Sequence, residues 1–190
     1  MNRSRVGETN LESSPQSDKP RRFDAAQGPR KVGAEDGLTV DLGSVGVRFL
    51  VWGAESGGGF SLVEHPIPPR GLAAPLHRHA HEDEYSYVLE GRRGAMLGDD
   101  VVFAEVGDLL FKPRQQWHTF WNAGDGPCRI LEIISPGGFE HMFAEMGSGP
   151  DAMTGDAAEA MDVRYGLEMD YDSIPRLCAE HGLWFPDVGD

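Results

Sequence analysis

The sequence predicts an all-β fold, an antiparallel barrel or sandwich with helices at its C-terminal end, and three observations predict it. Between residues 37 and 135 the apolar residues fall in short segments, many of them alternating with polar ones, the period of a strand with one buried face. Gly, Pro, Asp and Asn cluster between the segments, where turns must join neighbouring strands. Beyond residue 135 the apolar spacing lengthens to three and four, the period of a helix.

Taken in order, residues 1–36 are rich in Ser, Pro, Asp, Gly and Arg, and their isolated apolar residues follow no period. Such a segment buries too little surface to offset its ordering entropy, so a flexible tail is expected. Its basic clusters, "KPRR" and "GPRK", read as solvated charge rather than a binding arm. A barrel is expected over 37–135, with strands in "VGVRFLVW", "FSLVEHPI", "YSYVLEG", "AMLGDDVVFAEV", "DLLFKP", "WHTFWN" and "CRILEII". "LGDDV" predicts a tight hairpin between Leu97 and Val101, and "NAGDGP" a second turn.

Residues 136–190 read as a helical extension packed on the barrel. Phe139, Met142, Phe143 and Met146 stand at i, i+3, i+4 and i+7 before Gly147. In "DSIPRLCAEHG" a stripe of Ile174, Leu177, Cys178 and His181 runs to Gly182, with Asp172 or Ser173 as the cap and Pro175 in the first turn. The piece between them, "SGPDAMTGDAAEAMD", is expected to be a loop or weak helix and not a site.

The charge balance narrows the partners. A net charge of −14 repels nucleic-acid backbones and anionic membranes. No apolar run approaches the 18 residues of a membrane span, and the first 22 residues carry no hydrophobic segment of the signal-peptide kind. A cytoplasmic protein of one domain is therefore expected, with a small molecule rather than a nucleic acid or membrane as partner. Cys128 and Cys178 are far apart and form no C-x-x-C pair, so buried reduced thiols are the expectation.

One stretch stands apart. In "GLAAPLHRHAHEDEYSYVLEG", residues 71–91, His77, His79 and His81 occupy every second position and acids follow at once. Alternate residues of a strand share a face, about 7 Å apart. Gly71, His77, His79, Glu84 and Gly91 stand at the spacing G-x5-H-x-H-x4-E-x6-G, which resembles the first signature of the cupin superfamily. Gly107, Pro113, His118 and Asn122 resemble the second, G-x5-P-x-G-x2-H-x3-N, with Gln115 where the signature has glycine. The resemblance covers roughly 47–134. The short spacer between the two motifs and the flanking segments are similar to the small single-domain bacterial cupins grouped with quercetin dioxygenase.

That resemblance implies a double-stranded β-helix, or jelly roll, and a metal held by His77, His79, Glu84 and His118. The spacing is compatible with it: His77 and His79 would project inward from one strand, a turn through "AHED" would reset the parity, Glu84 would enter from the next strand beside them, and His118 would come from a distant one. Three neutral imidazoles and one carboxylate suit one divalent first-row transition metal, Fe, Mn, Co, Ni, Cu or Zn, over Ca or Mg, and leave positions for substrate, water or dioxygen. His81 falls in the turn and is expected beside the site or at the surface. His65 and His141 are read as hydrogen-bonded or solvated.

Strand alternation from Glu84 sends Ser86 and Val88 inward, and from His118 it sends Phe120 and Asn122 inward, so these four are the expected substrate pocket. Tyr85, Tyr87, Trp117 and Trp121 then lie outside, more apolar area than a monomer usually leaves bare. The terminal helices or a second subunit must cover them, and a homodimer is expected. Glycine at position 115 would take positive φ without cost, so Gln115 is expected to alter the turn before His118. The function implied is a metal-dependent dioxygenase on an enolisable or phenolic substrate, with Glu84 as ligand or general base. The alternatives are a metal-dependent isomerase or polyketide cyclase, and a non-catalytic ligand-binding cupin.

Overall fold

The computed structural model describes residues 29–149 and 155–186. Most of the expected flexible tail, including "KPRR", lies outside the described residues. Residues 29–36 are described: Arg48 donates from Nη1 to the carbonyls of Gly33 and Asp36, and Arg30 of "GPRK" pairs with Glu55 at 2.6 Å.

Eleven strands follow: β1 (Thr39–Asp41), β2 (Gly46–Val51), β3 (Ser61–Ile67), β4 (Leu76–His79), β5 (Asp83–Glu90), β6 (Arg93–Leu97), β7 (Asp100–Ala104), β8 (Leu109–Lys112), β9 (His118–Asn122), β10 (Cys128–Ser135) and β11 (Leu167–Asp170). They form two antiparallel sheets, in the orders β1-β2-β3-β10-β5-β8 and β11-β4-β9-β6-β7, the two halves of a jelly roll. Alternation builds the core. In β10, Cys128, Ile130, Glu132 and Ile134 are buried while Arg129, Leu131, Ile133 and Ser135 face the other way. Each fully buried apolar side chain of this kind stabilises the fold by about 1.5–3 kcal/mol. The "LGDDV" hairpin forms as a two-residue turn with Gly98 at φ 60° and Leu97 opposite Asp100.

Among the described residues the extension holds three helices, α1 (Glu140–Met146), α2 (Gly155–Tyr165) and α3 (Ser173–His181), together with β11. Phe139 and Met142 at the start of α1 pack on Val47, Phe49 and Val63 of the six-stranded sheet. The buried Glu140 carboxylate accepts from the N–H groups of Gly53 (2.7 Å) and Gly138 (2.6 Å), which fixes the entry of α1. Neither Asp172 nor Ser173 caps α3. Ser173 Oγ instead accepts from Leu76 N–H at 2.9 Å and donates to the Asp170 carbonyl, tying α3 to β4.

Two features of the extension bear on the site. β11 was not legible, because four residues are too few to show a period; it pairs with β4, setting Leu167 opposite His79 and Met169 opposite His77. The segment expected as a loop or weak helix and not a site supplies α2, whose Met161 and Asp162 are buried beside the cavity described below.

The outer aromatics divide. Trp121 is 1% exposed: Leu177 packs on it and the His181 ring stacks against it at 4.5 Å, so the α3 stripe covers it. Tyr85 stacks on Phe111 at 4.8 Å, and Arg78 lies 5.0 Å from the Trp117 ring. Tyr87, Leu109 and Phe111 remain 41%, 54% and 46% exposed. Both cysteines are free, Cys128 buried and Cys178 half-buried. Among the described residues no helix is long and apolar enough to cross a membrane.

Candidate metal centre

His77 and His79 point inward from β4, as alternation requires, and both are buried. His118, far away in sequence, opens β9, which pairs directly with β4 and places His118 opposite His77. Glu84 comes from β5 in the other sheet and reaches the cluster from across the barrel. The expected geography is thus reversed: the carboxylate is not on the strand beside the histidine pair, and the distant histidine is. The "AHED" turn carries the chain from one sheet to the other. His81 in that turn is exposed, and Glu82 is buried with its Oε2 3.7 Å from His79 Nδ1.

One donor atom from each of His77, His79, Glu84 and His118 lies within 4.8 Å of the others. His77 Nδ1 is 2.9 Å from the Pro75 carbonyl and His118 Nδ1 is 3.0 Å from the Gln116 carbonyl. A carbonyl only accepts, so each Nδ1 carries the proton and, in a neutral ring, Nε2 holds a bare lone pair. Burial lowers the pKa of His118, and burial with the neighbouring His118 and His79 lowers that of His77 well below the usual range, which favours the neutral ring in both. His118 Nε2 nevertheless lies 3.2 Å from Glu84 Oε2, and His79 Nε2 lies 3.5 Å from Glu84 Oε1. Both His79 ring nitrogens are buried without a hydrogen-bond partner. Burial would raise the pKa of Glu84, but Lys112, His79 and His118 outweigh it and hold the carboxyl ionised. The His118 lone pair thus faces a carboxylate with no proton to share, beside the unpartnered Nε2 of His79, and a cation with nitrogen and oxygen affinity fits them.

Comparison with known proteins agrees with this geometry. The model of the cupin domain family matches residues 64–134, from β3 through β10 and across all four donors. Residues 64–134 form a cupin domain. KdgF from a Halomonas species shares the fold, with a TM-score of 0.53 at 13% identity over 60% of this chain and 98% of that one. An uncharacterized protein of Methanocaldococcus jannaschii is 35% identical over 71 residues, 37% of this chain and 56% of that protein. Tetracenomycin polyketide synthase protein TcmJ of Streptomyces glaucescens is 29% identical over 89 residues, 47% of this chain and 60% of that protein. The chain therefore spans little more than half the length of the curated relatives it matches.

Around the donors this cupin domain carries a buried charge network. Lys112 Nζ lies 2.5 Å from Glu84 Oε2 and 2.7 Å from Glu132 Oε1. Ser86 Oγ, 2.7 Å from Glu132 Oε2, donates to the same carboxylate. Arg93 is fully buried 4.5 Å from the Phe120 ring, and its guanidinium nitrogens have no hydrogen-bond partner. Lys112, Glu132, Arg93 and Glu82 escaped the reading of the sequence. Glu132 had a signal, a carboxylate between Ile130 and Ile134 on the inward face of a strand. Lys112 and Arg93 had none beyond parity.

Of the four residues expected in the pocket, Phe120 lines the cavity that reaches His77, His79 and Glu84. The other three do not line it. Ser86 is engaged by Glu132, and Val88 packs in the barrel core. The Asn122 side chain donates to the carbonyls of Ile67, Pro68 and Gly126 and accepts from Gly124 N–H, clamping the "NAGDGP" turn. Much of the remaining wall comes from Phe139, Met142, Phe143 and Met146 of the α1 region and from Leu167 and Met169 of β11. His65 also lines it, buried and within 3.0 Å of the Gly46 carbonyl, whereas His141 is half-exposed and packs near Trp52.

Gln115 does not alter the turn as expected. It takes φ 67°, the conformation glycine would supply, its N–H donates to the His79 carbonyl at 2.8 Å, and its side-chain amide donates to the Ala80 carbonyl at 3.0 Å. The turn before His118 is kept, with local strain offset by two bonds to the strand that bears the histidine pair.

Proposed function

We propose that His77, His79, Glu84 and His118 hold one divalent first-row transition metal, and that the protein is a metal-dependent dioxygenase of enolisable or phenolic small molecules. The observation that carries this reading is the ionised Glu84 carboxylate facing the His118 lone pair and the unpartnered His79 Nε2, with Glu84, His77 and His79 lining a largely apolar cavity. Such a metal would supply Lewis acidity toward a substrate oxygen and, if redox-active, reactivity toward dioxygen. The chain's own residues do the rest. The Pro75 and Gln116 carbonyls keep the imidazoles of His77 and His118 in the tautomer that presents Nε2. Glu84 is both donor and proton acceptor: Lys112 engages Oε2, and Oε1 is the atom that takes the substrate hydroxyl proton. Phe120, Phe139 and Phe143 exclude water and offer faces to a flat substrate.

The test begins with elemental analysis of protein purified without added metal, followed by oxygen uptake with a panel of flavonols and β-diketones. Stoichiometric metal and substrate-dependent uptake support the reading. Metal-loaded protein that consumes no oxygen with any of them overturns the dioxygenase assignment. A second reading, isomerisation or cyclisation without oxygen, is supported by the similarity to a protein named for tetracenomycin polyketide synthesis. It predicts undiminished turnover under strict anaerobiosis. Stoichiometric ligand binding without turnover in either atmosphere would instead make the protein a binding module.

For the assembly we propose a homodimer through the exposed row of Tyr87, Leu109 and Phe111 on β5 and β8. β7 and β8, consecutive in the chain, are each an edge strand of one sheet, and Val101 and Phe103 of β7 add to the exposed apolar surface. Half-exposed side chains of this size together leave bare about 400–500 Å². That is close to the apolar share of the roughly 800 Å² per partner in a standard interface.

A further inference from the structure

The cavity above the metal donors, about 70 Å³, adjoins a second of about 80 Å³, the two sharing walls at Leu42, Val45, Met142, Met146 and Met169. The outer cavity is almost wholly apolar and touches none of the four metal donors. Three of its side chains are polar. Ser44 is 1% exposed, and its Oγ is buried without a hydrogen-bond partner. Asp162 of α2 is 9% exposed, its Oδ2 accepting from the Tyr171 hydroxyl at 3.0 Å. Burial pushes the Asp162 pKa up, Tyr171 opposing it. Tyr171 is 42% exposed and stands where this cavity meets solvent.

These residues have no structural account as they stand. A buried hydroxyl left unpaired is destabilising, and the Ser44 hydroxyl has no hydrogen-bond partner among the described residues. A carboxylate on the inner face of a helix is also costly when one phenol is its sole hydrogen-bond partner among the described residues. Both costs are relieved by a polar group brought into the outer cavity.

We propose that the outer cavity is a specificity subsite in which Ser44, Asp162 and Tyr171 receive a hydroxyl group at the far end of the substrate. Resting on the metal-dependent reading above, this narrows the substrate class to a flat apolar skeleton with oxygen donors at one end, for the metal, and a hydroxyl at the other. The Met142, Met146 and Met169 side chains between the two ends are flexible and polarizable, suited to gripping an aromatic skeleton along its length. Asp162 accepts the hydroxyl's hydrogen bond.

The test uses the full chain loaded with Zn(II), which binds without redox turnover, and aryl β-diketones with phenyl or naphthyl spacers, each with and without a hydroxyl at the distal ring position. Affinities are measured by calorimetry for the wild type, Ser44→Ala, Asp162→Asn and metal-free His77→Ala. In the wild type the distal hydroxyl is expected to tighten binding about tenfold, equivalent to about 1.4 kcal/mol. The advantage should vanish in Asp162→Asn and shrink in Ser44→Ala. Ser44→Ala should also raise the Tm of the unliganded protein, because it removes an unpaired buried hydroxyl; a Ser44 that merely supports the fold would give the opposite shift. Equal affinity for the paired probes, or an advantage that survives both substitutions, overturns the subsite and leaves the metal reading standing. An advantage retained in metal-free His77→Ala with undiminished affinity supports the subsite and overturns metal anchoring. Failure of every probe to bind overturns both.

Discussion

Lys112 Nζ sits 2.5 Å from Glu84 Oε2, with both side chains buried, on the face of the carboxylate away from His79. The ammonium also reaches Glu132, so it compensates two carboxylates at once. Lys112→Met should therefore destabilise the protein by about 3–5 kcal/mol, the cost of leaving buried charge unpaired. Adding Glu132→Gln should recover part of that loss, a coupling that denaturant midpoints of the single and double variants would measure. Additive losses would show that the network is not shared.

Metal binding should appear as stability. Zn(II) at a hundredfold excess over its Kd should add about 2.7 kcal/mol to unfolding, seen as a rise in Tm that a chelator reverses. The rise should disappear in His77→Ala and in His118→Ala. A rise of the same size in either variant would place the ion elsewhere.

Acid should weaken the metal-free fold in a defined window. His65, His77 and His118 are buried with pKa values below the ordinary 6.5, so the unfolded chain binds protons that the native state refuses. Stability is then greatest above that value and falls as pH drops below about 6.5. Glu84 and Glu64, held below the ordinary 4.5, add a second loss as pH falls through the carboxylate range. Urea unfolding at pH 7.5, 6.0 and 5.0 should give successively lower midpoints; a flat profile between the first two would contradict the neutral-imidazole assignment.

Gln115 holds a left-handed conformation that costs a non-glycine residue about 1–2 kcal/mol. Gln115→Gly should recover about 1 kcal/mol after the exposed bond to Ala80 is lost, and Gln115→Val should be destabilising. Denaturant midpoints at unchanged slope report both.

Light scattering should give about twice the 20.8 kDa chain mass, and Leu109→Lys with Phe111→Asp should return the monomer. A monomer in the wild type over a wide concentration range would remove the proposed interface.

How much of this was legible depends on the range over which each signal acts. Alternation and turn residues act within a few positions, so the strands from β2 to β10, the α1 and α3 stripes and the inward aim of His77, His79, Glu84 and His118 could be read from the chain. The covering of Trp121 was half-legible: the α3 stripe was visible, but its target was not. β11 and the pocket wall of α2 left no trace, because four residues show no period and an apolar side chain looks alike whether it fills a core or lines a cavity.

The sequence by itself determined the strands from β2 to β10 and the acid balance, which follow from side-chain type and local spacing, and it named the four donors through their resemblance to the two cupin signatures. Only the tertiary structure decided that β9 lies against β4, that Glu84 crosses from the opposite sheet, and that Lys112 and Glu132 join it. Which strands meet, and across which gap, is set by closure of two sheets on a shared core; that depends on contacts tens of residues apart, which no local period encodes.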